Sequence, residues 1–322
     1  MERSLHGFLS AVSTFAGDAG SVDARFLVLA IPLQVANLVV RSFAWQNVLR
    51  AAFPASTVRL RDVFGASTAG DAINLVAPAR VGDLATIALA NVRIEGANVP
   101  AVTSSLVVAG ALDFAASLAM YAWVYTLGVF PALPNLPRAP TFEWSLIASD
   151  RWPVLAAAVL VTAAVLLVRA SATRRIQALW HRAGAGVAIL RQPTRYLYAV
   201  ALPQALALAL RLGVVLFTLR AFHLPSSLRT ALIVTAVGSA TTILPLTPNG
   251  AGARQVVLAY ALRHTASATN VLAFSIGQQL FVSVINGVIG LGSLAFMLHT
   301  LRPSHIRQRT HSGGSEMTKG NP

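Results

Sequence analysis

The chain has 322 residues, 55% of them hydrophobic and 11% charged, and carries a formal net charge of +14. Soluble domains carry about 25% charged residues, and a mean hydropathy of +0.65 sets this chain apart from them. Cysteine is absent, which excludes disulfides, thiolate catalysis and cysteine-based metal sites.

The basic excess is nearly all arginine, with Lys319 the sole lysine. The arginines cluster between apolar runs, as in cytoplasmic loops that face anionic lipid. A nucleic-acid binder would carry them on soluble periodic helices or among exposed aromatics, so no nucleic-acid partner is expected.

Residues 1–25 read as an N-terminal surface segment. Leu5 to Ala16 is weakly apolar, is broken by Gly7, Ser10, Ser13 and Thr14, and makes a poor signal-peptide core. A spanning helix needs about 20 mostly apolar residues. Phe26 to Trp45 satisfies this, with Arg41 near one end. Val63 to Val92 is apolar but too long for one helix, and Pro78 and Gly82 break its centre. Ala101 to Phe130 spans, with Asp113 inside it. The Pro-rich loop from Pro131 to Arg151 balances Arg138 and Arg151 against Glu143 and Asp150, and is expected to face outward. Trp152 to Val168 is a short charge-free span, and Tyr196 to Phe222 spans with Arg211 in its middle. Thr230 to Leu262 is again interrupted, by Pro245, Pro248, Asn249-Gly250 and Gly252. Val271 to Leu298 is long and charge-free, and residues 300–322 form a disordered basic cytoplasmic tail. The expected fold is all-α: a polytopic membrane helix bundle over residues 26–299.

Each interrupted stretch reads as two half-length helices that meet at a loop. Pro78 and Gly82 are spaced as Pro248 and Gly252 are. Paired broken segments in corresponding positions point to a transporter's binding site. Charge sets the sides. Arg50, Arg59 and Arg61, the arginines from Arg169 to Arg195, and the basic tail from Arg302 should all be cytoplasmic. These assignments agree only if the first hairpin enters and leaves on the cytoplasmic side and the second on the outside. Two broken re-entrant hairpins of opposite orientation make an inverted repeat.

At these segments the sequence resembles the transmembrane region of lysylphosphatidylglycerol synthase, also called the flippase-like integral membrane family. The likeness runs from about Phe26 to Leu298. It rests on Arg41 ahead of Trp45, on Asn74, Pro78, Arg80, Gly82 and Asp83, on Asp113 in the next span, and on the turn from Leu244-Pro245 to Pro248-Asn249-Gly250-Ala251-Gly252. The chain departs from the pattern at Asp83, where the family usually has Glu, and at Thr86, at Ala109-Gly110 and around Arg254-Gln255. In fused members a soluble C-terminal domain adds the amino acid to the lipid. The tail after Leu298 is too short to form a core, so the resemblance implies the lipid-translocating half, or a relative of unknown substrate.

Charges inside a bilayer cost about 2.5 to 3.5 kcal/mol each on insertion scales unless paired or hydrated. Asp71, Arg80, Asp83, Asp113, Arg211 and Arg254 are therefore the informative positions, with Asn74 on the same face as Asp71. Arg80 and Arg254 stand beside the two loops. A guanidinium there would bind a phosphate through two donors, helped by half-helix N-termini. Arg80 is equally suited to pair with Asp83 and fix the fold, and the structural reading is slightly ahead for Arg254. Asp71 and Asn74 could line a hydrated cavity or carry a coupling proton, although a helix–helix hydrogen-bonding role is the simpler reading. Asp113 with Arg211 reads as a mainly structural ion pair, and all seven of these residues are the candidate substrate-binding positions. Pro78, Gly82, Pro245, Pro248, Gly250 and Gly252 are the expected hinges. Gln278 and Gln279 could glue helices or line a path, and Gly287 and Gly290 read as close-packing points.

The sequence has no Walker lysine, HExxH or GxSxG. No enzyme activity, cofactor or metal is expected. The reading is an integral membrane flippase-like transporter of lipids or lipid-linked molecules, anionic or phosphate-bearing, in the cell (inner) membrane with a cytoplasmic C-terminus. Two alternatives stand beside it: a non-catalytic scaffold, or a membrane transferase acting on a lipid carrier. Either would work with enzymes of envelope lipid or glycan synthesis.

Overall fold

The structure, a computed structural model, describes residues 22–77, 81–126, 183–243, 253–263 and 265–300. These residues are helical and contain no strand. Eight helices organise them: α1 (Ala24–Ala52), α2 (Leu60–Val76), α3 (Val81–Arg93), α4 (Val99–Thr126), α5 (Pro193–Ala221), α6 (Leu228–Ile243), α7 (Ala253–Ala261) and α8 (Ala268–Thr300). The predicted Trp152 to Val168 span, the surface segment before Val22 and the tail lie outside the described residues.

Four helices are long and apolar enough to cross a membrane: Ala24–Ala52, Val99–Val124, Pro193–Ala221 and Ala268–His299. They match the other four predicted spans. They are apolar on every side, so large residues such as Val28, Phe114, Leu206 and Leu291 remain exposed, as they would toward lipid. Asp23 caps α1, its carboxylate accepting from the Arg25 amide at 3.0 Å. α1 tolerates Pro32 in its interior. α5 passes through a π turn at Leu197–Ala201.

Among the described residues each interrupted stretch contributes two short helices, and the predicted breaks between them lie outside those residues. α2 and α3 have 17 and 13 residues, or about 25 and 20 Å. α6 and α7 have 16 and 9 residues, or about 24 and 14 Å. All fall short of the roughly 30 Å hydrocarbon thickness.

α1 and α5 pack antiparallel along their lengths. The Asp23 amide donates to the Ala221 carbonyl at 3.0 Å. Phe26 stacks on Phe217. Asn37 donates to the Ala207 carbonyl at 2.6 Å and Asn47 to the Ala199 carbonyl at 2.8 Å. α2 and α8 also run antiparallel, with Gly65 against Met297, Gly290 against Thr68 and Ala72, and Gly287 against Leu75. α4 and α5 run parallel: Gln204 meets Ala109, Arg211 meets Asp113, and Val124 shares a core with Val215 and Leu219.

The packing divides the helices into two quartets, α1–α4 and α5–α8, each long–short–short–long. Exchanging the quartets leaves the pattern of helix contacts unchanged. α2 packs on α8 as α6 packs on α4; α1 touches α2 and α4 as α5 touches α6 and α8; α3 touches α2 and α4 as α7 touches α6 and α8; and α1 meets α8 as α5 meets α4. The sequence carries the same relation. Gln34 and Gln204, Arg41 and Arg211, Arg50 and Arg220, Ser56 and Ser226, Arg59 and Arg229, Pro78 and Pro248, and Gly82 and Gly252 are pairs of identical residues at one constant interval.

Two apolar cores mark the two ends of the bundle. One gathers Trp45, Phe53, Val58, Ile94, Ile189 and Met297. The other gathers Val124, Leu219, Leu224, Leu258, Val271 and Phe274. Arg50, Arg59, Arg191 and the C-terminal end of α8 lie at the first end, so described parts of all three predicted basic regions, or helix ends leading to them, share one side.

Candidate functional site

The first hinge is closed by one amide. Asn74, near the end of α2, accepts from the Gly82 backbone N–H at 2.8 Å and donates to Asp83 Oδ1 at 3.0 Å. It thus satisfies a donor that the first turn of α3 leaves open. Thr86 donates to the Gly82 carbonyl at 3.1 Å. The helices approach so closely here that a Cβ on Gly82 would collide with the Gly70 carbonyl. Glycine is required at this crossing for space. Pro78 and Arg80 lie outside the described residues, as do Pro245, Pro248, Gly250 and Gly252 at the second hinge. Removing the clasp by Asn74→Ala should cost about 1–3 kcal/mol, because the Gly82 N–H is left without its acceptor. Thermal unfolding of the purified protein in detergent will read it; an unchanged melting temperature would refute the clasp.

Asp71 is turned toward α1. It faces Arg41 at 3.9 Å, with side chains 29% and 47% exposed. At that distance and exposure the pair contributes little.

Asp113 of α4 and Arg211 of α5 form the ion pair the sequence suggested. Arg211 Nη2 donates to Oδ1 at 2.7 Å and Nη1 to Oδ2 at 3.5 Å. Asp113 is near the midpoint of its 28-residue helix, about 20 Å from either end. Planar fork-to-carboxylate geometry explains why an arginine stands here.

Arg254 is different. It begins α7 and reaches across to α8, where Nη2 donates to Gln278 Oε1 at 2.7 Å. The next residue repeats the contact, with Gln255 Nε2 donating to Gln279 Oε1 at 3.0 Å. Both glutamines glue helices, as predicted. The guanidinium lies against Gly238 of α6, whose missing side chain leaves it room. Its Nε is buried without a partner, and no described carboxylate pairs with it. The Ser275 hydroxyl, one turn before Gln278, is also buried and unpartnered. Gln278 is about 15 Å along α8 from Ala268, roughly half the hydrocarbon thickness. A positive charge whose partner among the described residues is a neutral amide, at the start of a half-helix, can hold an anion.

Sequence reasoning missed the buried amides that join the quartets. Gln34 of α1 donates to Asn286 of α8 at 2.8 Å, and Asn37 and Asn47 bind carbonyls of α5. The available signal was their isolation within apolar runs, since an amide in hydrocarbon needs a partner. Among the described residues no cluster of His, Asp or Glu is arranged to hold a metal.

A family model described as Lysylphosphatidylglycerol synthase TM region matches residues 7–290. No curated protein and no solved structure matches the chain.

Proposed function

Because the chain belongs to the lysylphosphatidylglycerol synthase TM region family, a family of integral membrane proteins in lipid-related processes, we propose that it translocates a lipid or lipid-linked molecule across the membrane rather than catalysing a reaction. The observation that carries this reading is Arg254: a guanidinium with no carboxylate partner among the described residues, at the start of a broken half-helix, about half a bilayer deep. Supporting it, each broken pair packs against a long helix of the other quartet, α2 on α8 and α6 on α4. Corresponding elements run in opposite directions, which is the geometry of an inverted repeat with its site near the midplane. The cargo is an anionic or phosphate-bearing membrane lipid. In this reading the protein sits in the cell (inner) membrane. Its Arg50 end and C-terminus face the cytoplasm, where arginine-rich loops are retained.

The test is reconstitution into liposomes with labelled lipids and a leaflet-accessibility assay. Arg254→Gln should keep the fold and slow exchange of the anionic lipid by at least about tenfold, the loss of one charge-assisted contact. Equal exchange with protein and with empty liposomes for every lipid would defeat the reading. Full activity in the variant would remove Arg254 from it.

A further inference from the structure

Beyond the midplane site, the two loops that follow the quartets' first long helices share one construction. In the first, Arg50 ends α1, Ser56 lies in the turn, and Arg59 precedes α2. They line a pocket of about 450 Å³ together with Phe53, Thr57 and Val58. In the second, Arg220 ends α5, Ser226 lies in the turn, and Arg229 stands in the first turn of α6; Arg220 Nε donates to Ser226 Oγ at 3.1 Å. Arginine, serine and arginine recur at the same interval in both quartets. All four arginines are exposed, and none pairs with a carboxylate among the described residues. Arg59 also occupies the N-cap of α2 without a side-chain cap bond, its carbonyl accepting from the Asp62 and Val63 amides.

Position completes the argument. α1 and α5 are antiparallel, and Asp23 at the start of α1 bonds Ala221 beside Arg220. The two loops therefore lie at opposite ends of a 29-residue helix, about 43 Å apart. That is the thickness of a bilayer with its headgroups, about 40–45 Å.

We propose that these loops are paired phosphate stations, one at each membrane face, which hold the phosphate of an anionic phospholipid between two guanidiniums; Ser56, whose hydroxyl donates to the Glu95 carbonyl at 2.6 Å, shapes the first loop rather than binding the anion. The fork geometry of arginine suits two oxygens of a phosphodiester. Binding at the stations requires no transport; their meaning as loading and release points rests on the translocation reading above.

The experiment compares the full chain with Arg50→Gln/Arg59→Gln and Arg220→Gln/Arg229→Gln. Retained phosphatidylglycerol is counted by native mass spectrometry, with phosphatidylcholine and inorganic phosphate as parallel probes. Arg61→Gln is the control, a basic residue in the first turn of α2 outside the pocket. Each double variant should hold phosphatidylglycerol at its own face at least about tenfold more weakly, while Arg61→Gln stays within about twofold of the parent, as expected from diffuse attraction alone. Unchanged retention in either double variant, or an equal loss in Arg61→Gln, would overturn the proposal. So would retention of phosphatidylcholine as strong as that of phosphatidylglycerol. Binding of inorganic phosphate that displaces the lipid one for one at equal concentration would show sites for the free anion and overturn the lipid assignment. These arginines are exposed, so folding is checked by the melting temperature in phosphatidylcholine. Should wild type retain the lipid and never move it, the stations stand and the translocation reading fails.

Discussion

Replacing Arg211 with leucine should lower stability by about 2–3 kcal/mol, somewhat less than the 3–5 of a fully buried pair, because Asp113 is left charged and alone at mid-depth. The side chains are 31% and 39% exposed, which is why the smaller figure applies. Asp113→Leu should cost a similar amount by stranding Arg211. The double variant Asp113→Leu/Arg211→Leu should recover most of the loss, since an apolar pair of comparable volume removes both desolvation costs. A charge swap, Asp113→Arg/Arg211→Asp, should recover part of it. Melting temperatures of the four proteins in detergent close the cycle. If the double leucine variant also retains translocation, the pair only joins α4 to α5. Loss of transport in a stable double variant would instead put the pair on the lipid's path.

The second large effect is at Gly290. A Cβ there would collide with the Thr68 carbonyl oxygen and lie 2.6 Å from the Ala72 Cβ. Both are on α2, so this glycine sets how closely the quartets join. Apolar side chains gain nothing by moving from lipid into a helix interface, and close backbone approach supplies the attraction instead. Gly290→Leu should therefore cost about 3 kcal/mol, at the upper end for overpacking a tight interior, and reduce the yield of folded protein. Gly292 lies two residues on and has open space around it. Gly292→Ala should be neutral or stabilising by up to about 1 kcal/mol. Size-exclusion profiles after a heating series compare the two, and equal behaviour would mean that α2 and α8 do not meet as described.

Hydropathy alone was enough to read the long helices, because a run such as Val271 to Leu298 has no stable place except a bilayer or a core. The breaks were legible for the same kind of reason: Pro and Gly at the centre of an apolar run admit few alternatives. The Asp113–Arg211 pair was legible because two opposite charges in neighbouring spans have a strong reason to meet. The partner of Arg254 was not. The structure supplies Gln278, and an amide leaves no charge pattern to find. The extent of the repeat was also hidden. Its Pro and Gly members were visible as helix breakers, but Gln34 and Gln204, or Arg50 and Arg220, sit among Leu, Ala and Val, where chance matches are common. Only the exchange symmetry of the packing singles them out.

The parallel course of α4 and α5 has a consequence for how such a chain arises. Thr126 and Pro193 lie at opposite ends of the bundle, so the connection between them starts on one face and finishes on the other. Joining two copies of a four-helix unit head to tail would otherwise leave both facing the same way. Under the translocation reading proposed above, a change of sides at the joint would set two such units in opposed orientation. A reporter fused after Thr126 and one fused just before Pro193 should therefore give opposite signals, and the parity of that joint fixes the handed relation of everything that follows.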